Sequence, residues 1–178
     1  MRILGLIAAT ALFLTACGGG DGDEAAPDES AGGTTITAEG FTYLVPDGWK
    51  DITDRIGDGF LSAVGDTKDK DGFADNINVS NMATAEIDLG QTEDSAKSEL
   101  EDVGATDVTI LERTKVGGVE SAHISANTTA QGATYHVDQY YTLVGDTGYI
   151  VTYSTSPDLT DSDREDVITP ILASFDWR

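Results

Sequence analysis

Between Thr106 and Ser156 the chain reads TDVTILERTKV, VESAHISANTT, ATYHVDQYYTLVG and GYIVTYSTS, four runs rich in β-branched and aromatic residues. Gly117-Gly118, Gln131-Gly132 and Asp146-Thr147 separate them. Links this short join only antiparallel neighbours, because a parallel crossover needs a dozen or more residues. Gly-Gly also suits the type I′ hairpin turn, which requires positive φ at both central positions. The segment therefore predicts a four-stranded antiparallel meander, and the rest of the chain must pack against it.

The turns also predict a register. Pairing about Gln131-Gly132 sets Asn127 opposite His136 and His123 opposite Tyr140. Ala122, Ile124, Ala126, Val137 and Tyr141 then share an apolar face, by the two-residue period of a strand. Ser121, His123, Ser125, Asn127, His136, Asp138 and Tyr140 share the other. Pairing about Gly117-Gly118 puts Glu112 beside His123, and pairing about Asp146-Thr147 puts Tyr153 beside Tyr140. A row Glu112–His123–Tyr140–Tyr153 is expected across the four strands. It is a candidate ligand-facing surface; the plainer alternative is a polar outer face whose neighbours hydrogen-bond. His123 and His136 stand four positions apart, about 13 Å of strand, so they are not expected to share a metal ion, which needs nitrogens at about 2.0–2.1 Å.

Upstream, Phe41, Tyr43 and Val45 alternate as in a strand, Pro46-Asp47-Gly48 marks a turn, and Trp49 is expected to anchor the core. FLSAVGD and NINVSNM read as two further strands joined by the polar loop DTKDKDGFAD. TEDSAKSELEDVGA predicts a helix with Ala96, Leu100 and Val103 on one face, Thr92 or a polar neighbour as N-cap and Gly104 at the C-terminus. SDREDVITPILASFDW predicts a last helix with a Ser162/Glu165 capping box and a kink at Pro170. The order βββ-α-ββββ-α is an α+β domain, one antiparallel sheet flanked by helices.

The single cysteine sits far from all of this. MRILGLIAATALFLTAC places Arg2 before a dozen apolar residues and Cys17 directly after them. That run is too short to span a ~30 Å hydrocarbon core and has the length of a signal-peptide core. Leu14-Thr15-Ala16-Cys17 resembles the lipobox of bacterial lipoproteins. The resemblance implies a signal peptide over 1–16, a diacylglycerol thioether on Cys17, and localisation on the extracytoplasmic face of the cell membrane. Residues 17–36, rich in Gly and acids, predict a flexible linker with a coil span of about 25 Å. The folded domain is expected over 37–178.

Charge narrows the partners. The chain has 32 acidic residues against 10 Lys and Arg, a formal net charge of −22. Nucleic acid is excluded as a partner, because phosphate binding needs clustered cations. With one cysteine there is no intrachain disulfide and no CxxC site. Asp66, Asp69, Asp71 and Asp75 suggest a weak calcium site. Aligned on Gly72, however, an EF-hand loop would start at Thr67 and end at Asn78, without its first carboxylate and its bidentate Glu. Ser125 with His123 and Asp138 suggests a hydrolase, but no G-x-S-x-G elbow exists. No cofactor and no catalysis are expected.

Phe41-x-Tyr43-x-Val45-Pro46-x-Gly48-Trp49 resembles the opening strand and turn of the PsbP-like fold. GFADNINVSNM and ILASFDW are similar to the LpqN-type lipoproteins of actinobacteria, which share that fold. The resemblance covers Phe41 to Trp177. It implies a non-catalytic binding or assembly role in the envelope, toward an envelope protein or a lipid-like ligand, with no catalytic residues carried over.

Overall fold

The computed structural model describes residues 33–57, 59–68, 73–82, 88–130 and 132–178. Cys17, the expected signal peptide, Asp69 and Asp71 lie outside them.

The domain is α+β and its strand pairs are antiparallel, in two sheets rather than the single sheet expected. The small sheet has the order β1-β2-β10, from β1 (Gly33–Ala38), β2 (Phe41–Pro46) and β10 (Asp176–Trp177). β1 begins inside the segment assigned to the linker. The large sheet contains β3 (Trp49–Asp51), β4 (Ser62–Asp66), β5 (Asn76–Met82), β6 (Thr106–Val116), β7 (Val119–Ala130), β8 (Ala133–Val144) and β9 (Thr147–Thr155), in the order β3-β4-β5-β9-β8-β7-β6. Three helices complete it: α1 (Thr53–Ile56), α2 (Leu89–Asp102) and α3 (Asp161–Ala173). The chain leaves β5, crosses one sheet face through α2, enters the far edge at β6 and meanders back until β9 lies beside β5.

Both faces of the large sheet are covered in part. On one, α2 packs Ala96, Leu89 and Leu100 against Ala122, Ile124, Tyr141 and Ile150. On the other, α3 and the small sheet close the main core over Ile77, Val79, Tyr140, Val151 and Tyr153. Phe41, Tyr43, Val45 and Trp49 are buried in that core, so the F-x-Y-x-V-P-x-G-W stretch is structural. The C-terminus locks it: Phe175 stacks on Tyr43 at 4.7 Å between centroids, and Trp177 donates its indole N–H to the Val116 carbonyl at 3.0 Å. Gly117, at φ +56°, lets this contact form, because a Cβ there would meet the Phe175 carbonyl oxygen at 2.5 Å.

The helix caps differ from expectation. α2 is capped by Asp88, whose Oδ1 accepts from Gly90 and Gln91, and Val103 ends up exposed. α3 is capped by a Thr160/Asp163 box, two residues earlier than Ser162/Glu165, and runs through Pro170 to Ala173. Each cap falls on the residue that turns extended just before the first helical amide, which composition alone leaves ambiguous among adjacent polar residues.

A buried carboxylate cluster as the candidate functional site

β7 and β8 place the site. Their register is the expected one, with His123 opposite Tyr140, Ser125 opposite Asp138 and Asn127 opposite His136. Along β8 the alternation aims His136, Asp138 and Tyr140 at the α3 face, and along β7 it aims His123, Ser125 and Asn127 the same way.

Two of the expected neighbours are displaced. β6 carries a register shift between Leu111 and Thr114, so Leu111, not Glu112, stands opposite His123, and Glu112 is exposed on the edge strand. The β8–β9 turn is Gly145-Asp146, because Val144 pairs with Thr147, so Tyr153 faces Asp138 and Val151 faces Tyr140. The slip is two residues, which preserves the side-chain face. Tyr153 therefore stays on the same side as His123 and Tyr140, and Glu112 drops out of the row.

The larger correction concerns solvent. The middle of this polar face is an inner face: Tyr153 is 0%, Tyr140 3% and Asp138 6% exposed, while His123, Ser125, Asn127 and His136 are half-buried. α3 and the small sheet bury it, and no periodicity within β7 or β8 reports which face they choose.

Asp138 is the centre. Its Oδ1 accepts from His123 Nε2 at 2.9 Å. Its Oδ2 lies 3.4 Å from His136 Nε2 and 3.7 Å from Arg164 Nε, from the first turns of α3. The two imidazoles, though distant along the strands, thus converge on one carboxylate from either side. Burial would raise the Asp138 pKa, but the hydrogen bonds and positive charge of His123 and His136 outweigh it and hold the carboxyl well below the usual carboxylate range. Tyr140 stacks on His123 at 4.4 Å between ring centroids. Burial, with Asp138 adding, pushes its phenol above the ordinary tyrosine range.

A second chain of bonds leads outward. Asn127 Nδ2 donates to Asp107 Oδ2 at 2.9 Å, so its Oδ1 is the acceptor for His136 Nδ1 at 3.0 Å. Ser125 Oγ stands 3.0 Å from His136 Nε2. Hydroxyl, imidazole and amide follow the nucleophile–base–orienter sequence of acyl-transfer enzymes. The backbone amides around Ser125 and His136 serve the sheet ladder and do not form an oxyanion hole. His136 also shares its Nε2 with Asp138. The cluster ties the sheet to α3 through Asp138 and Arg164.

Arg164 was not singled out in the sequence, although a lone arginine in an acidic helix start is a signal for a buried acidic partner. It also donates to the Leu159 carbonyl at 2.7 Å and to Asp161 at 2.5 Å. Of the calcium candidates, Asp75 is buried and accepts from the Ser156 amide at 3.1 Å, and Asp66 accepts from the Lys68 amide at 2.8 Å. Both carboxylates hold loops. Among the described residues no group of three His, Cys, Asp or Glu is placed to hold a metal ion.

No protein-family model and no curated protein matches the chain. Solved structures do. Cyanobacterial PsbP (CyanoP) from Synechocystis sp. PCC 6803 superposes with a TM-score of 0.59 at 15% identity, over 90% of this chain and 98% of that one. The fold is PsbP-like. The Ran-binding protein Mog1p of Saccharomyces cerevisiae gives 0.58 at 14% identity, over 83% and 96% of the two chains. LpqN of Mycobacterium tuberculosis, involved in cell envelope biogenesis, gives 0.54 at 16% identity, over 80% and 88%. A Bacteroides thetaiotaomicron VPI-5482 protein gives 0.51 at 13% identity, and this chain spans 45% of its length. Identities this low carry the PsbP-like architecture and leave function open.

Proposed function

We propose that this PsbP-like domain is a lipid-anchored, extracytoplasmic, non-catalytic binding or assembly protein of the cell envelope. One observation supports the non-catalytic part: His123, His136 and Arg164 of α3 are engaged by the buried carboxylate of Asp138. Such a cluster rigidifies the sheet–helix contact and turns over no substrate. Binding then falls to the exposed surfaces. The lipobox-like Leu14-Thr15-Ala16-Cys17 supports anchoring, since two or three acyl chains hold stably where one does not. The acidic linker supports a domain held clear of the lipid. LpqN, which shares the architecture, is a protein of envelope biogenesis. The partner is accordingly an envelope protein or a lipid-like ligand.

The test is intact mass of the protein extracted from membranes, with Cys17→Ser beside it. A diacylglyceryl Cys17 at the N-terminus, and release of the variant to the medium, are expected. Identical processing and membrane retention of both would remove the anchor. Ester or peptide turnover by the pure protein that disappears in His136→Ala would remove the non-catalytic reading.

A further inference from the structure

The other face of the large sheet carries an open groove. The groove, of about 340 Å³, runs beside α2. Asn78 and Ser80 of β5, Thr152 and Ser154 of β9, and Tyr135 and Gln139 of β8 form its floor, and Phe60 borders it. In a chain of net charge −22, none of the described residues that line it is an acid or a base. Asn78, Thr152 and Gln139 stand on one rung of the ladder, separated by the ~4.8 Å spacing of strands. Among the described residues, the side chains of Asn78, Ser80 and Thr128 bond to no protein group, and neither does that of Ser154, whose hydroxyl still reaches solvent. Tyr135 is braced by Phe73, stacked at 5.0 Å and 17°, which holds its ring as a fixed wall.

We propose that this groove binds a neutral oligosaccharide. The proposal rests on the binding reading above and goes beyond it, adding a ligand class to the envelope protein or lipid-like partner given there. Hydroxyl and amide side chains both donate and accept, and so do sugar hydroxyls. The aromatic rings supply an apolar wall for the C–H faces of the sugar. Other ligand classes fit less well. An acyl chain would strip water from these polar groups without replacing its hydrogen bonds. An anionic headgroup would meet no cation among the described lining residues and would sit on a strongly acidic chain. An extended peptide gains its affinity by pairing with a strand edge, whereas here the backbone is already paired on both sides.

The experiment is an NMR titration of the purified chain with maltohexaose, cellohexaose, mannohexaose and arabinohexaose. Hexagalacturonate serves as an anionic control and neutral phosphatidylcholine vesicles as a lipid control. At least one neutral hexasaccharide is expected to shift amides of β5, β9 and the start of β8 while leaving β6 unmoved. Asn78→Ala/Gln139→Ala should weaken it by about tenfold, the loss expected for a pair of direct hydrogen bonds. Ser80→Trp should abolish binding by filling the groove, with thermal unfolding confirming that both variants fold. Absence of shifts with all four neutral sugars overturns the proposal. So does equal binding of hexagalacturonate or vesicles, or a double variant that binds like the parent. Membrane release of Cys17→Ser is independent of all these readouts, so a failed titration beside an intact anchor removes the saccharide and leaves the binding protein.

Discussion

Replacing Asp138 by asparagine tests the interior of the site directly. The substitution keeps the shape and removes the charge that His123, His136 and Arg164 all face. Breaking a buried ion pair from one side costs about 3–5 kcal/mol, because the opposite charge stays buried without compensation. Arg164 retains Asp161 and the Leu159 carbonyl, which places this case near the lower end, about 3 kcal/mol. For a domain of this size that is a fall in Tm of roughly 6–12 °C. Urea unfolding at pH 7, followed by intrinsic fluorescence, reads the difference. The pH dependence supplies the second arm. The folded pKa of Asp138 lies below its unfolded value of about 3.9. Its contribution is therefore complete above that unfolded value and is lost as pH falls through the folded pKa. The gap between parent and Asp138→Asn should narrow steadily once the pH drops below about 4. A variant within about 0.5 kcal/mol of the parent at pH 7, the range of ordinary surface changes, would refute the argument. A gap that stays constant into acid would do the same.

Three further outcomes follow from the packing. Gly117→Ala should cost about 1–3 kcal/mol, since it strains a residue at φ +56° and drives a Cβ into Phe175 and Trp177; near-UV circular dichroism of Trp177 reports the disturbance. Thr160→Ala should cost about 1 kcal/mol in thermal unfolding, whereas Ser162→Ala should be nearly silent, because only Thr160 caps α3. The Tyr43 phenol, pushed up to about 12 by burial against the opposing hydrogen bond from Ser62, should resist ionisation in an ultraviolet titration until strongly alkaline pH. Tyr43→Phe should cost about 1–3 kcal/mol by stranding the buried Ser62 hydroxyl, with an unchanged unfolding midpoint as the contrary result.

Local chemistry explains what could be read along the chain. Gly117 and Gly118 both adopt positive φ, and Val116 pairs with Val119 across them as a two-residue hairpin requires. The β7–β8 register and its two faces follow from alternation within about two dozen residues. The bulge that moves Glu112 away from His123 could not be read so, because it answers to the twist and edge position of β6. Neither could the choice of Gly145-Asp146 over Asp146-Thr147, since adjacent turn residues offer equivalent chemistry. The groove beside α2 was missed because Asn78, Thr152 and Gln139 come from three strands that only the β5–β9 pairing brings together.

The amino-acid order by itself determined an acidic α+β chain with an antiparallel meander, a two-residue turn at Gly117-Gly118 and a side-chain face shared by His123, Asp138 and Tyr140. All of these depend on φ preferences and period-two alternation, which act between near neighbours. Tertiary structure decided that the middle of this polar face lies inside, that Arg164 comes down onto Asp138, and that a second sheet is built from the two ends of the domain. Those outcomes depend on which surfaces bury one another between elements distant in the chain, from 26 residues for Asp138 and Arg164 to more than a hundred for β2 and β10, and burial is non-directional, so it leaves no periodic mark in the strands it covers.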